Sequence, residues 1–144
     1  MAIVRDILSK KGRDVVTLTG AATVLDASQL MTERGIGAVL VVDGGALAGI
    51  FTERDVLRRV VAERRDPAST PLREVMTGSV MTCTPQTTFE ECRAVMTDRR
   101  IRHLPVIGAD GLCGIVSIGD VLAFQTDEQQ ATIQQLNSYV FDVR

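Results

Sequence analysis

The chain contains two copies of one sequence pattern. When residues 14–57 are laid on residues 79–122 without a gap, 15 of the 44 positions are identical. A shorter lead-in also repeats, in that residues 4–7 correspond to residues 72–75, with three extra residues between the lead-in and the rest of the first copy. The repeated unit is longer than the roughly 20–50 residues of most repeat architectures. The sequence therefore predicts two copies of one fold that pair with pseudo-twofold symmetry around a shared core.

Each copy has the hydrophobic pattern of a β-α-β-β-α unit. In the first copy, β-rich residues 15–18 precede an apolar stripe at helical spacing in residues 24–31. Two apolar runs, 36–42 and 47–51, flank an Asp-Gly-Gly turn typical of a hairpin, and a helix is predicted to open at Thr52. The elements of the second copy are predicted near residues 80–83, 89–99, 103–107, 112–116 and 118–125.

The fold class predicted from this pattern is α/β (α+β). Continuous apolar hairpin strands need cover on both faces of a sheet, so we expect helices on one face and the sister repeat on the other. The predicted boundaries are 1–66 for the first repeat, 67–126 for the second and 127–144 for a C-terminal helical tail. Ile133 and Leu136 give this tail a narrow apolar edge. The sequence leaves open whether that edge packs on its own domain or on another subunit.

The composition argues against several classes of protein. Sixteen basic and eighteen acidic residues give a net charge of -2, so no basic field attracts nucleic acid. The longest apolar run, residues 38–42, is far shorter than the roughly 20 residues that span a bilayer, and residues 1–8 are too polar for a signal peptide. Three cysteines without CxxC spacing and a single histidine predict neither a disulfide framework nor a zinc site. We expect a cytoplasmic protein without a metal, a membrane contact or a nucleic-acid partner.

A polar motif, G-x-x-[S/T]-x-x-D, recurs where the last strand of each copy meets a helix. It comprises Gly49, Thr52 and Asp55 in the first copy, and Gly114, Ser117 and Asp120 in the second. A hydroxyl followed three residues later by an acid can cap a helix and satisfy its free N–H groups. Alternatively, the short carboxylate accepts two hydrogen bonds from a ribose diol, while the glycine lets the ligand approach the backbone. The motif alone leaves both interpretations open.

With this motif in duplicate and the strand Leu104-Pro105-Val106, residues 1–126 resemble a pair of cystathionine-β-synthase (CBS) domains, also called a Bateman module. The resemblance implies that clefts between the repeats bind adenine nucleotides such as AMP, ADP, ATP or NAD(H), or S-adenosylmethionine. It also implies that no cofactor is required besides such a ligand, and that the protein is a homodimer formed through helices of both repeats.

The resemblance further implies two sets of nucleotide-binding residues, because each ribose carboxylate meets the first strand and the L-P-V strand of the sister repeat. The first cleft would use Thr52, Asp55, Thr82, Cys83, Thr84, Arg102 and His103. The second cleft would use Ser117, Asp120, Thr17, Leu18, Thr19, Gly37 and Ala38. Only the first has an arginine and a partly protonated histidine, so we expect it to hold a phosphate better. Arg54 and Arg100 are further candidates for phosphate contacts.

These features favour a regulatory module over an enzyme. Such a module would sense adenine nucleotides and pass their occupancy to a dimer partner or to an unidentified regulated protein. The alternative is a dimeric interaction scaffold that binds no ligand. An enzyme would have to use His103 with Cys83 or a carboxylate, and the sequence has no P-loop, metal cluster or Ser-His-Asp grouping.

Overall fold

The computed structural model describes residues 2–12 and 14–142, with side chains described as far as residue 136. The first repeat contains α1 (Val4–Lys11), β1 (Thr17–Leu18), α2 (Val24–Arg34), β2 (Ala38–Asp43), β3 (Ala46–Thr52) and α3 (Glu53–Asp55), which continues as a π-helix over Val56–Val61. The second contains a 3-10 turn (Leu72–Glu74), α4 (Phe89–Arg99), β4 (His103–Gly108), β5 (Gly111–Ser117) and α5 (Ile118–Asp142). The predicted mixed fold with a C-terminal helix is confirmed.

Three predicted elements differ from the structure at their ends. The strand expected at 15–18 is reduced to β1, and the strand expected at 80–83 is reduced to one parallel bridge between Cys83 and Val106. Both backbone hydrogen bonds of that bridge involve Cys83. Residues 79–81 do not pair with β4, because they line a cleft instead. The last helix and the tail merge into α5, since no Gly or Pro follows Gly119 within it.

The two hairpins share one register, including the position of an irregularity. β2 pairs antiparallel with β3 and shifts register between Val41 and Val42. β4 pairs antiparallel with β5 and shifts between Val106 and Ile107, which is the equivalent position in the second copy. β1 adds a parallel strand beside β2, with Leu18 opposite Val41. The backbone thus repeats in the same way as the sequence.

The lead-in segments cross from one repeat to the other. α1 buries Val4, Ile7 and Leu8 in the core of the second repeat. The 3-10 turn buries Leu72, and Val75 after it, in the core of the first repeat. Full burial of each such aliphatic side chain stabilises the fold by about 1.5–3 kcal/mol. Each repeat is therefore completed by a segment of its sister, which ties the two into one unit.

A third apolar cluster lies between the two sheets. Ala38, Leu40 and Ile50 from the first sheet are buried there, with partly buried Leu112 and Ile115 from β5 packed against them. The expected packing of the repeats through their sheets is confirmed by this cluster. The first residues of β2 and β4 lie at the edge of this contact between the sheets, where the candidate site is found.

The helices that follow the first strands begin and end in equivalent ways. Thr23 and Thr88 cap α2 and α4 by accepting hydrogen bonds from backbone N–H groups of the first turn. α2 ends at Gly35 in the left-handed conformation, with φ of 64°. α4 ends at Arg100 with φ of 54°, a conformation that favours glycine. This strained turn places Arg100 beside the cleft.

Candidate functional site

A cleft of about 550 Å³ opens at the junction of the two repeats. Its volume lies within the range of roughly 300–1,000 Å³ typical of small-molecule sites. Of the residues assigned to the first cleft from the sequence, Thr52, Asp55, Arg102 and His103 line it. Gly37 lines it as well, although the sequence assigned Gly37 to the second cleft. The structure therefore brings together the motif of one repeat and the start of β4 of the other.

Asp55 is fixed at the cleft by the turn that opens α3. Its Oδ2 accepts hydrogen bonds from the Thr52 N–H at 2.9 Å and from the Thr52 hydroxyl at 3.2 Å. Its Oδ1 lies 3.6 Å from Nε of Arg59, and the whole residue is only 8% exposed. The carboxylate thus caps the helix and also faces the cleft, where its remaining lone pairs can accept hydrogen bonds from a ligand.

Arginines dominate the charge of the cleft. Its lining includes Arg54, Arg58, Arg59, Arg100 and Arg102, against the two carboxylates Glu53 and Asp55. Backbone carbonyls orient two of them: Nη1 of Arg59 donates to the Met76 oxygen at 2.8 Å, and Nη1 of Arg54 donates to the Arg100 oxygen at 3.3 Å. A planar guanidinium matches the geometry of a phosphate. The cleft is therefore suited to an anionic group.

The sequence analysis missed two of these arginines, and one signal could have found them. Arg58 and Arg59 follow Asp55 by three and four residues, and this spacing places all three side chains on the same face of the helix. Arg54 and Arg100, proposed as phosphate contacts from the sequence, do line the cleft.

His103 lies in surroundings that oppose its protonation. It lies at the start of β4, half-buried on the cleft. Burial lowers the pKa of His103 below its ordinary value, although the nearby Asp120 and Glu53 carboxylates work in the opposite direction. Burial therefore favours the neutral ring, which opposes the partial protonation expected from the sequence. Positive charge at this end of the cleft comes from the arginines.

The apolar part of the cleft includes two residues that precede the observed bridge at Cys83. Val80 and Met81 line it together with Ile50 and Ile101, whereas Thr82 and Thr84 are absent from its lining. Because pairing with β4 begins only at Cys83, the chain reaches the cleft a few residues earlier than predicted. Aliphatic side chains of this kind can flank a flat ring.

Cys83 is a core residue and not a ligand contact. It is 6% exposed and belongs to the core cluster that contains Cys92. Hydrogen bonding with Cys92 and burial raise the pKa of the Cys83 thiol far above its ordinary value. The prediction that Cys83 lies near a ligand is wrong, because one parallel bridge turns its side chain into the core.

The Ser117 and Asp120 side chains of the second motif bind other groups of the protein. The Ser117 N–H donates to Oδ2 of Asp120 at 2.9 Å, and the Asp120 N–H donates to the Ser117 hydroxyl at 3.0 Å, which is a complete capping box. Lys11 Nζ lies 2.7 Å from the same Oδ2. Burial tends to raise the pKa of Asp120, but hydrogen bonds from Lys11 and Ser117 outweigh it and lower that pKa below its usual value.

The other residues assigned to the second cleft have varied surroundings in the structure. Ala38 is buried between the two sheets. Thr17 and Thr19 are exposed at β1, Leu18 packs against the first core, and none of the three is among the described hydrogen-bond partners of Asp120. In the first set, by contrast, Thr52, Arg102 and His103 share the lining of one cleft with Asp55.

The motif glycines serve the fold and not a ligand. A Cβ at Gly49 would lie 2.6 Å from Met76 Sδ and 2.7 Å from the Thr77 carbonyl oxygen. A Cβ at Gly114 would lie 2.7 Å from Cδ2 of Leu8. Each glycine makes room for the lead-in segment that crosses between the repeats. The expectation that these glycines let a ligand approach the backbone is wrong.

The described part of the chain has neither a membrane-spanning helix nor a metal-binding cluster. No helix there has both the length and the apolar character needed to cross a bilayer. Residues 2–12 and 14–142 also contain no group of three or more His, Cys, Asp or Glu side chains arranged to hold a metal ion.

The fold and the cleft define a class of protein: tandem repeats joined through their sheets, with a small-molecule site at the junction. Residues 4–62 and 72–127 match the CBS domain, and the chain belongs to the CBS domain family. It is 40% identical over 146 residues to the mitochondrial CBS domain-containing protein CBSX3 of Arabidopsis thaliana, across 95% of this chain and 71% of that protein.

Solved structures share the architecture. A CBS-domain protein from Burkholderia ambifaria is 44% identical with a TM-score of 0.86, and the match covers 89% of this chain and 96% of that one. The CBS domain protein PAE2072 from Pyrobaculum aerophilum, solved in complex with AMP, is 23% identical with a TM-score of 0.72. That match covers 82% of this chain and 88% of the other, and it shows a common fold.

Proposed function

We propose that the protein is a regulatory module that binds an adenine nucleotide in the cleft at Asp55. One observation carries this proposal: a single cleft combines a capped carboxylate, five arginines and aliphatic side chains drawn from both repeats. The same fold holds AMP in the protein from Pyrobaculum aerophilum, which supports a ligand of that type. The candidates for this chain are AMP, ADP, ATP, NAD(H) and S-adenosylmethionine.

The chemistry of the lining suggests one orientation for the nucleotide. The Asp55 carboxylate accepts hydrogen bonds from the ribose hydroxyls, and the Thr52 hydroxyl, which donates to Asp55, accepts a further one. The phosphate faces the arginines, with Arg102 approaching from the second repeat. Ile50 and Val80 flank the adenine ring, whose edge is read by backbone groups. Each part of the ligand then meets a surface of matching polarity.

We assign the cleft no catalytic step. A nucleophile or a general base must lie within hydrogen-bond reach of a reacting group and hold a suitable pKa. The Cys83 thiol is buried in the core with a raised pKa, and His103 is the single histidine of the chain. The cleft acts through its occupancy, and the output is a change in the angle between the repeats.

A homodimer would transmit that change. Leu57 and Leu122 occupy equivalent positions on the helices that follow the two motifs, and they are 63% and 52% exposed. Val61, one turn after Leu57, is 61% exposed. Large apolar side chains at symmetry-related positions form a face that a second copy can cover. An unidentified regulated protein could respond to the same surface.

Thermal unfolding with a panel of ligands tests the proposal. AMP, ADP, ATP, NADH and S-adenosylmethionine, each at millimolar concentration, are expected to give at least one clear rise in Tm, because a ligand that binds only the folded state stabilises it. The matched variants are R102Q, which removes a cleft charge, and R99Q, whose side chain is exposed outside the cleft. R102Q should shrink the ligand-induced shift and R99Q should not. If no ligand raises Tm, the proposed nucleotide sensor is wrong and the alternative, an interaction scaffold that binds no ligand, is favoured.

A further inference from the structure

The side chain of Arg59 contacts two different parts of the protein at the cleft. Its Nη1 donates hydrogen bonds to the Val75 carbonyl oxygen at 3.2 Å and to the Met76 carbonyl oxygen at 2.8 Å. Its Nε lies 3.6 Å from Oδ1 of Asp55. One planar guanidinium thus connects the motif carboxylate of the first repeat to the backbone of the lead-in that precedes the second repeat.

The two carbonyl oxygens depend on this side chain for a partner. Among the hydrogen bonds of the described residues, Arg59 is the only donor to the Val75 oxygen or to the Met76 oxygen. The Val75 side chain is buried in the first core, which holds the adjoining backbone at the edge of that core. A carbonyl that is partly shielded from water is destabilising when it lacks a donor. Arg59 therefore stabilises a stretch of the lead-in that no backbone N–H supports.

The stretch bound by Arg59 continues directly into the lining of the cleft. Thr77 exchanges two 3.0 Å hydrogen bonds with Ile50 and lines the cleft itself. Residues 79–81 line the cleft as well, and so does Asp55. One side chain therefore links the carboxylate to the chain segment that forms the apolar wall.

The equivalent position in the second repeat also joins a helix to a lead-in, but by other chemistry. Phe124 aligns with Arg59. Its ring lies edge-on to that of Phe89, with 5.2 Å between the ring centroids, and the ammonium of Lys10 in α1 lies 5.5 Å from its centroid. A contact made by two such different side chains indicates attachment of the lead-in and not recognition of a phosphate.

The neighbouring Arg58 has different surroundings. It lines the same cleft and belongs to the same π-helical stretch. Among the described residues, its side chain makes no hydrogen bond and no ion pair, so its guanidinium is available to a ligand anion. Two of the three guanidinium nitrogens of Arg59 face protein groups instead. The two arginines are therefore expected to act in different ways.

We propose that Arg59 is a positioning residue, which fixes the Asp55 carboxylate and the lead-in wall relative to each other, while Arg58 faces the ligand anion. Loss of the Arg59 guanidinium leaves the phosphate contacts in place but loosens both sides of the nucleoside site. Its effect on affinity is then independent of the phosphate. The ligand rests on the proposed function, whereas the attachment of the lead-in is measured without any ligand.

Amide hydrogen exchange of the ligand-free protein tests this attachment. The Thr77 N–H, which is bonded to β3, should exchange about 10-fold faster in R59Q than in the unmodified protein. The Leu40 N–H, bonded to the chain just before β1, reports global stability and should not change. R58Q is the matched control and should leave both amides unchanged. Unchanged Thr77 exchange in R59Q, or an equal increase at Leu40, would overturn the inference.

Calorimetric titration with adenosine and AMP separates positioning from phosphate binding. R59Q should weaken the binding of both ligands by the same factor of about 10, whereas R58Q should weaken AMP binding and leave adenosine binding unchanged. A loss confined to AMP in R59Q would make Arg59 a phosphate contact and overturn the inference. If the unmodified protein binds neither ligand, the proposed function is wrong, and the exchange measurement still decides the role of Arg59.

R59Q should fold, because the Arg59 side chain is 49% exposed and an ion pair at such a site contributes little to stability. R59K is the second variant. Its ammonium keeps the positive charge but lacks the planar group that reaches Asp55 and both carbonyls together. R59K should therefore change Thr77 exchange and the two affinities in the same direction as R59Q and by less, and it gives the same comparison if R59Q does not fold.

Discussion

Leu8 lies directly over Gly114, with Cδ2 only 2.7 Å from the position that a Cβ there would take. The equivalent Gly49 is covered by the side chain of Met76 and also by the Thr77 carbonyl oxygen at 2.7 Å. A side-chain end can rotate away from an added methyl group, whereas a paired backbone oxygen cannot. We therefore predict that G49A lowers the free energy of unfolding by about 2–3 kcal/mol and G114A by about 1 kcal/mol.

Urea denaturation of both variants measures these differences directly. G78A is a suitable control, because no atom lies within 4 Å of a Cβ at Gly78. Equal destabilisation by G49A and G114A would contradict the distinction between backbone and side-chain crowding.

The left-handed turn at Arg100 predicts that a glycine there increases stability but weakens ligand binding. A non-glycine residue in this conformation is strained by roughly 1–2 kcal/mol, partly offset by the entropy that glycine adds to the unfolded chain. R100G should therefore raise the free energy of unfolding by under about 1 kcal/mol. The same change should weaken AMP binding, because Arg100 lines the cleft.

R99G is the matched control for this prediction. Arg99 is the last residue of α4 and lies outside the cleft lining, so glycine there should destabilise the helix by about 0.5–1 kcal/mol and leave AMP affinity unchanged. Destabilisation by R100G as large as that by R99G would show that the turn is not strained.

The lowered pKa of His103 predicts a dependence of stability on pH. The unfolded chain binds a proton at a higher pH than the folded protein does, so the stabilising contribution of neutral His103 is complete above the unfolded pKa of roughly 6.5 and is lost as pH falls below it. Tm should fall between pH 7.5 and pH 5.5. Because His103 is the single histidine, H103Q should flatten this part of the profile. An identical slope in H103Q would assign the dependence to other groups.

The exposed leucines predict that dimerisation is lost by a single charge. L122E places a carboxylate in the apolar face formed with Leu57 and should convert the proposed dimer to a monomer in sedimentation analysis, because burial of an unpaired charge is unfavourable. L25E, on α2 and at 40% exposure, is the control and should leave the mass unchanged. A dimer that survives L122E would place the subunit contact elsewhere.

Most of the fold could be predicted from the sequence because the pattern occurs twice. Equivalent elements fold alike because they share apolar periodicity, turn residues and caps, as in Thr23 and Thr88. The exchange of lead-in segments was not predicted, since Leu8 and Met76 show only that they are apolar and not which core they enter. The extent of strand pairing before Cys83 depends on that long-range packing.

The candidate site was predictable where a local motif fixes it and not where distant segments meet. Asp55 and Thr52 lie three residues apart, so their cap follows from the sequence. Tertiary structure alone decides that Met81, and not Thr82, lines the cleft. It also decides that Lys11 pairs with the distant Asp120. The charge of His103 likewise depends on burial that no local pattern reveals.

Calorimetric titration of AMP into the D55N and D120N variants tests the central claim most directly. Asparagine has the shape of aspartate and can still cap a helix, so each change removes mainly a charge. The account predicts that D55N weakens AMP binding by about 10- to 100-fold, as expected for loss of a charged hydrogen-bond acceptor, while D120N binds as the unmodified protein does. Equal affinity in D55N and the unmodified protein, or a loss confined to D120N, would contradict it.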